Sequence, residues 1–349
     1  MQTILVVGGA GYIGSHMVKT LAQAGYLPLT LDNLSTGFAD AVSRGELIIG
    51  SMADRELLNL LFRRHKIAAV MHFAAYSQVG ESMREPGKYY RNNVAATQVL
   101  LDAMVDHGVR HLVFSSTAAV YGNPLYTPID ESHAKAPINP YGRSKWMVEQ
   151  ILADYDAARG LRSIALRYFN AAGADPDSML GERHAPETHL IPLVLQAGLG
   201  KRDAITVFGS DYDTADGTCI RDYIHIEDLC SAHLLALQAL LGGAASNAYN
   251  LGNGEGFSVN EVIRIAERVL QRPVPIIRGE RRKGDPAVLV ANARRARDEL
   301  GWTPRYPELD RIIGHAAAWE NARDGLPADS VCNVSPGAAL DCGRMNSRP

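Results

Sequence analysis

The sequence predicts an α/β protein built on a doubly wound parallel sheet with a smaller mixed α/β region. Near-continuous apolar runs alternate with helical patterns through residues 3–169, at the spacing of right-handed strand–helix–strand crossovers. A glycine-rich turn follows the first apolar run and opens the first helix. After residue 170 the pattern breaks into shorter strands and helices, which predicts the second region.

In chain order, the expected strands are TILVVG (3–8), LPLTLD (27–32), LIIG (47–50), AAVMHF (68–73), HLVFSS (111–116) and SIALRYF (163–169). Unbroken apolar runs of this length suit strands buried on both faces. Helical patterns lie near 12–24, 54–65, 88–107 and 141–159. A Gly-, Ala-, Asp- and Pro-rich loop (171–188) then leads to a helix near 190–199, followed by AITVFG, CIRDYIH, a helix near 226–241 and NAYNLG. Ser258 is placed as the N-cap of the helix that begins in FSVNEVIRIAERVL. Residues 324–349 lack periodicity and read as a mobile tail. The expected division is a nucleotide-binding domain over 1–170, onto which 226–250 packs back, and a second domain over 171–225 and 251–323.

The 349 residues, 46% of them hydrophobic, can fill one large or two ordinary cores. A net charge of −3 gives no basic excess, so nucleic acid is not an expected partner. Cys219, Cys230, Cys332 and Cys342 form no CxxC pair and no zinc spacing, and no metal ligand set is expected. They read as reduced thiols of a cytoplasmic protein. The opening MQTILVVGGAG reads as a buried strand rather than a signal peptide, and no run reaches 18 apolar residues, so no membrane partner is expected.

Gly8, Gly11 and Gly14 in VVGGAGYIGSH form the G-x-x-G-x-x-G turn of a Rossmann-type sheet. Glycine permits the tight turn and a close approach of backbone to a pyrophosphate, which the helix N-terminus attracts. Asp32 ends the second strand, 18 residues past Gly14, where a carboxylate binds ribose hydroxyls and repels a 2′-phosphate. That favours NAD over NADP. In INPYGRSKWMVEQ, Tyr141 and Lys145 are one helical turn apart and share a face. A phenol ionises near pH 10 unaided, so a base near neutrality needs cations beside it. Lys145 and an oxidised nicotinamide would supply them.

With these motifs the chain resembles the extended short-chain dehydrogenase/reductase family over roughly residues 2–322. The resemblance lies in GGAGYIGSH, LDNLSTG, HFAAYSQVGES, YYRNNV, FSSTAAVYG, NPYGRSKWMVE, LRYFNAAGA, DGTCIRDYIHIEDL and RRKGDPAVLVAN. It is nearest to members that invert carbon 4 of UDP-hexoses through a transient 4-keto sugar with bound NAD. The resemblance implies Tyr141 as proton acceptor, Lys145 as its cationic neighbour and Thr117 as a hydrogen-bond partner of the same sugar oxygen. It implies a dinucleotide lying against Gly8, Gly11, Tyr12, Ile13 and Gly14, then Asp32, Asn33, Ser35, Thr36 and Gly37, then Phe73, Ala74 and Ala75, with Asn92, Ser115, Tyr141, Lys145 and Tyr168. On the UDP-sugar side it implies Thr117, Tyr141, Asn170, His189, Leu190, Phe208, Arg221, Tyr223, Arg282, Asp285 and Leu289. A homodimer is the family expectation.

Related 4,6-dehydratases carry an Asp-Glu pair after the threonine; Ala118 and Ala119 stand here and cannot move a proton. Leu289, five residues past Gly284, stands where the family's tyrosine restricts the pocket to plain hexoses, so room for a 2-acetamido group is expected. Three departures stand out: Ser51 in place of an adenine-side Asp (with Asp54 as a helix cap instead), Ser77 in place of a Lys, and His189 in place of an Asn. Tyr223 and His225 also read as structural, His225 as a buried hydrogen-bonding residue. A 4-epimerase of a UDP-pentose or UDP-uronic acid remains open, as does a non-catalytic NAD-sensing protein.

Overall fold

A computed structural model describes residues 1–282 and 285–323. The tail expected over 324–349 lies outside the described residues. The chain runs β1 (Thr3–Val7), α1 (Tyr12–Gln23), β2 (Leu27–Asp32), β3 (Glu46–Ile49), α2 (Arg55–Arg64) and β4 (Ile67–His72). It continues through α3 (Val79–Arg84), α4 (Pro86–Tyr89), a π-helical stretch (Tyr90–Ala95), α5 (Ala96–Asp106), β5 (His111–Ser115), α6 (Pro140–Arg159) and β6 (Arg162–Tyr168). Beyond it lie β7 (Asn170–Ala172), α7 (Leu190–Gly198), β8 (Ile205–Phe208), β9 (Ile220–Arg221), β10 (Tyr223–His225), α8 (Ile226–Leu241) and β11 (Asn247–Leu251). The described chain ends with β12 (Phe257–Ser258), α9 (Val259–Leu270), β13 (Ile276–Gly279), β14 (Val288–Leu289), α10 (Arg294–Leu300) and α11 (Leu309–Ala322).

Seven parallel strands in the order β11-β6-β5-β4-β1-β2-β3 form the central sheet. Its double winding is visible in β1. Ile4 and Val6 face one core with Met17, Leu21 and the α8 residues Leu229 and Leu237, while Leu5 and Val7 face another with Leu58, Leu100, Val148 and Leu152. That is the two-residue alternation of a strand buried on both sides. A third core, with Ile191, Val194, Val262, Ile263, Ile312 and Ile313, holds α7, α9 and α11 beside three small sheets. No described helix is long and apolar enough to cross a membrane.

Local signals set several boundaries. Asn139 caps α6 by accepting the Gly142 N–H at 2.8 Å, Pro140 starts the helix, and Gly160 ends it at φ +66°. Ser258 and Glu261 form a reciprocal capping box on α9. Asp54 caps α2, accepting from Leu57 at 3.0 Å, while Ser51 Oγ accepts from Ala53. The expected helix 88–107 is corrected: it is α4, one π-helical stretch and α5, a register change that propensity does not announce. The sequence reading also missed α3, α10, α11 and β13. α3 and α10 are short, β13 is largely exposed, and α11 spans 14 residues, so its absence from the reading has no such reason.

Candidate active site

Backbone crowding makes the first turn glycine-dependent. Gly8 has φ +84°, and a Cβ there would lie 2.4 Å from the Ala74 nitrogen. A Cβ on Gly14 would lie 2.1 Å from the Gly8 carbonyl oxygen, so the helix could not sit so close to the turn. Gly11 is the N-cap of α1 and gives no side-chain cap, which leaves the first N–H groups, those of Tyr12 and Ile13 among them, without intrahelical partners. This cradle fits a pyrophosphate.

Asp32 reaches the turn from the end of β2. Its carboxylate accepts the Ala10 N–H at 2.9 Å and the Leu34 N–H at 2.8 Å. Burial raises its pKa, and the two donors act against that rise. Asn33 accepts the Ser35 N–H, and Gly37 lies against Ala10, too close for a Cβ. Asn33, Ser35, Thr36 and Gly37 therefore belong to one loop folded back on the glycine turn. Phe73 and Ala74 close the turn on its other side, their N–H groups both donating to the Val7 carbonyl; Ala75 follows directly.

The α6 cap fixes the helical phase of Tyr141 and Lys145, which are 8% and 3% exposed. Lys145 Nζ donates to the Ser115 carbonyl at 2.8 Å and lies 4.8 Å from the centre of the Phe114 ring. Burial pulls its pKa down to about 7, against the pull of Glu149. Thr117 stands beside the Tyr141 phenol and lowers its pKa, and its Oγ1 accepts the Ala119 N–H at 3.1 Å. The expected tuning of the phenol needs correction. In the chain alone burial raises the Tyr141 pKa, and Thr117 is the neighbour that lowers it. The chain by itself does not make Tyr141 a base at neutral pH; a further cation is required.

Around this pair, Ser115 Oγ shares a 2.7 Å hydrogen bond with the Tyr168 hydroxyl. Asn92 donates to Asn93, which binds both backbone groups of Tyr76 and the Ser144 hydroxyl. Asn93 was missed by the sequence reading; its companion was named, and only the π-helical turn reveals which of the two is buried. Glu149 was missed too. It pairs with Arg167 and accepts from Ser116, behind Lys145 on the same helix. The i, i+4 spacing from Lys145 was the available signal.

The residues expected on the UDP-sugar side form pairs. Arg221 and Asp285 make a 2.9 Å ion pair, and the Arg282 guanidinium stacks 4.0 Å from the centre of the Phe208 ring. Asn170 donates to the Asp222 carbonyl at 2.7 Å. Asp222, also missed, is buried and accepts from Asn253, Gly254 and Ala291, and burial raises its pKa to about 6. Tyr223 packs into the third core. His225 is fully buried between the Glu227 N–H and His315, with its pKa drawn down to about 3 by burial. Leu190 begins α7 against the third core, and Leu289 packs against a small cluster of Val120, Tyr121 and Ile129. His189 meets Glu182 beside His184 and Glu187, a grouping of possible metal donors that the sequence reading did not name.

A glycine-cradled dinucleotide turn, with a buried Tyr–Lys pair and a threonine hydroxyl beyond the neighbouring strand, defines a nicotinamide-dependent enzyme of the Rossmann class. The chain belongs to the NAD dependent epimerase/dehydratase family, which it matches over residues 4–252. It is 52% identical over 323 residues to a UDP-glucose 4-epimerase of Rhizobium meliloti, covering 93% of this chain and 98% of that one. It superposes with a TM-score of 0.89 on UDP-glucose 4-epimerase from Brucella ovis in complex with NAD, at 49% identity over 91% of this chain and 98% of that one. The UDP-Glc/GlcNAc 4-epimerase of Campylobacter jejuni aligns with a TM-score of 0.81 at 42% identity, over 92% and 100% of the two chains.

Proposed function

We propose that this chain is an isomerase that interconverts UDP-galactose and UDP-glucose with tightly bound NAD. The observation that carries this reading is a buried Tyr141 with Thr117 beside it and Lys145 one helical turn on, and alanines at 118 and 119. The hydroxyl pair grips one sugar oxygen and moves its proton, and nothing adjacent can drive elimination of water. The glycine turn and Asp32 would hold NAD, which would supply reversible hydride transfer at carbon 4, the sugar presenting its other face on the return, and a positive charge near Tyr141. Tyr141 takes the 4-hydroxyl proton and gives it back. Lys145, whose lowered pKa lets it carry or release a proton near neutrality, stands beside that exchange, and Thr117 holds the oxygen in line. Because the cycle is redox-neutral, turnover needs no second substrate.

Asp32 and the loop of Asn33, Ser35, Thr36 and Gly37 hold the adenosine ribose, and Phe73, Ala74, Ala75, Asn92, Ser115 and Tyr168 complete the dinucleotide side. Arg221 and Arg282 clamp the diphosphate, Phe208 meets uracil, and Asp285 binds the uridine ribose after exchanging its ion pair. Asn170, His189, Leu190 and Tyr223 complete the UDP-sugar side. Residues 1–170 with 226–250 form the dinucleotide lobe, and 171–225 with 251–323 the UDP-sugar lobe. The protein acts as a homodimer in the cytoplasm. Buried, unpaired Cys219 and Cys230 support a reducing compartment. A second reading, activity on UDP-N-acetylhexosamines, is favoured by leucine at position 289. Incubating purified protein with UDP-galactose alone, and following UDP-glucose, tests the main reading.

A further inference from the structure

The loop from β7 to α7 gathers four possible metal donors in eight residues, Glu182, His184, Glu187 and His189. One ligating atom of each lies within 4.8 Å of those of the other three. His184 Nδ1 is 3.4 Å from Glu182 Oε1 and 3.3 Å from Glu187 Oε2, and His189 Nδ1 also meets Glu182 Oε1. Both imidazoles thus turn Nδ1 toward the Glu182 carboxylate. Zinc bound to N and O at about 2.0–2.1 Å spaces tetrahedral donors roughly 3.3 Å apart, which is the spacing around His184.

The shell around these donors is built. The other oxygen of Glu187, Oε1, accepts the Thr188 and His189 N–H groups at 2.7 and 2.9 Å, which turns Oε2 inward. Glu182 is 5% exposed, and its backbone carbonyl accepts the Trp319 indole N–H at 3.0 Å. Arg183, between two of the donors, points the other way, pairing with Asp40 and covering the Phe38 ring. The loop is thereby fastened beside the glycine turn, next to a cleft lined by Gly11, Tyr12 and Phe38.

We propose that Glu182, His184, Glu187 and His189 bind one divalent transition-metal ion, Zn²⁺ foremost. Two imidazole nitrogens and two carboxylate oxygens suit a borderline cation better than Mg²⁺ or Ca²⁺. Four protein ligands close the shell, so the ion is structural: it clips the loop that leads into α7 and lies against the dinucleotide turn. Ligation through Nδ1 also leaves Nε2 of His189 protonated and facing away from the metal, a fixed donor on a side chain that is half exposed. The site stands apart from the hydride chemistry, and although His189 is shared with the proposed UDP-sugar side, metal retention is read without any substrate. Its competitor is a metal-free network in which both imidazoles are charged and paired with the two carboxylates.

The test uses tag-free protein, stripped with chelator and then loaded with Zn²⁺ or Co²⁺. One zinc per chain retained through gel filtration, with the intense visible bands of four-coordinate cobalt, is expected. His184→Gln and Glu187→Gln should each weaken zinc binding at least about 10-fold, and His65→Gln, outside the loop, should not. Failure to retain stoichiometric zinc, or retention unchanged in both loop variants, overturns the proposal. The cobalt spectrum of the unaltered protein keeps the test decisive should either variant fold poorly.

Discussion

Lys145 donates its ammonium to the backbone carbonyl of Ser115 at 2.8 Å, anchoring the helix that carries Tyr141 to the end of β5. The bond fixes a cation in a site dry enough to lower its own pKa to about 7. The same dryness raises the Tyr141 pKa. Burial therefore acts on the two groups in opposite senses, and both shifts favour neutral side chains. On the proposed reading, a dinucleotide carrying positive charge would tip the phenol toward the base form.

Lys145→Met tests this balance while keeping most of the volume. Loss of the cation should cut turnover by about 100-fold or more and move the ascending limb of the pH–rate profile to higher pH. Since desolvation rather than an ion pair dominates its surroundings, the unfolding midpoint at pH 7 should stay near that of the unaltered protein. An unmoved pH profile would show that Lys145 serves only to hold Ser115.

The proposed cofactor choice rests on Asp32, whose carboxylate accepts the Ala10 and Leu34 N–H groups. Protein purified without added cofactor should release NAD(H) on denaturation, with NADP(H) a minor fraction. Predominant NADP(H) would remove Asp32 from the role given to it.

Leu289 packs beside Val120 and Tyr121, in the segment that follows Thr117. Leu289→Tyr should lower turnover of UDP-N-acetylglucosamine far more than turnover of UDP-glucose, because added bulk in a packed pocket is costly. Equal losses on both sugars, or no acetamido-sugar activity in the unaltered protein, would assign Leu289 to packing alone.

Acid should destabilise the fold at mild pH. Burial holds His16 and His233 near pKa 4 and His72 and His225 near 3, below the ordinary value of 6.5. Between roughly pH 6.5 and 4 the unfolded chain binds more protons at these four sites, so stability falls as pH falls, by up to about 1.4 kcal/mol per pH unit for each. Asp222, raised to about 6, works in the opposite sense, as do the raised carboxylates Asp32, Glu131, Glu227 and Asp228 and the raised imidazoles of His184 and His189. Glu182, lowered to about 2, adds a loss only below its ordinary range, as pH falls toward 2. Unfolding midpoints measured at pH 7 and pH 5 should differ clearly, with the acid value lower; equal midpoints would contradict the neutral-histidine account.

Much of the seven-stranded sheet and its first turn was legible because the signals are local. Gly8, Gly14 and Asp32 stand at fixed offsets along a strand–turn–helix, and Tyr141 and Lys145 within one helical turn. What was hidden depends on contacts between distant segments. Arg221 and Asp285 read as separate ligands, yet they are 64 residues apart and pair directly. The Glu182–His189 grouping depends on how a loop without regular structure folds, and the π-helical stretch on how Asn93 is buried. The direction of the Tyr141 shift was misread because burial, which the sequence does not quantify, outweighs the charge that it does show.

The central claim is that Tyr141 moves the proton at the inverted carbon. Conversion of UDP-galactose to UDP-glucose by folded, NAD-loaded Tyr141→Phe, measured beside the unaltered protein with no added reductant, tests it most directly. The change removes one hydroxyl with little change of shape, so dinucleotide and UDP-sugar binding should persist while turnover drops by roughly 100- to 10,000-fold. A turnover near that of the unaltered protein would contradict the claim.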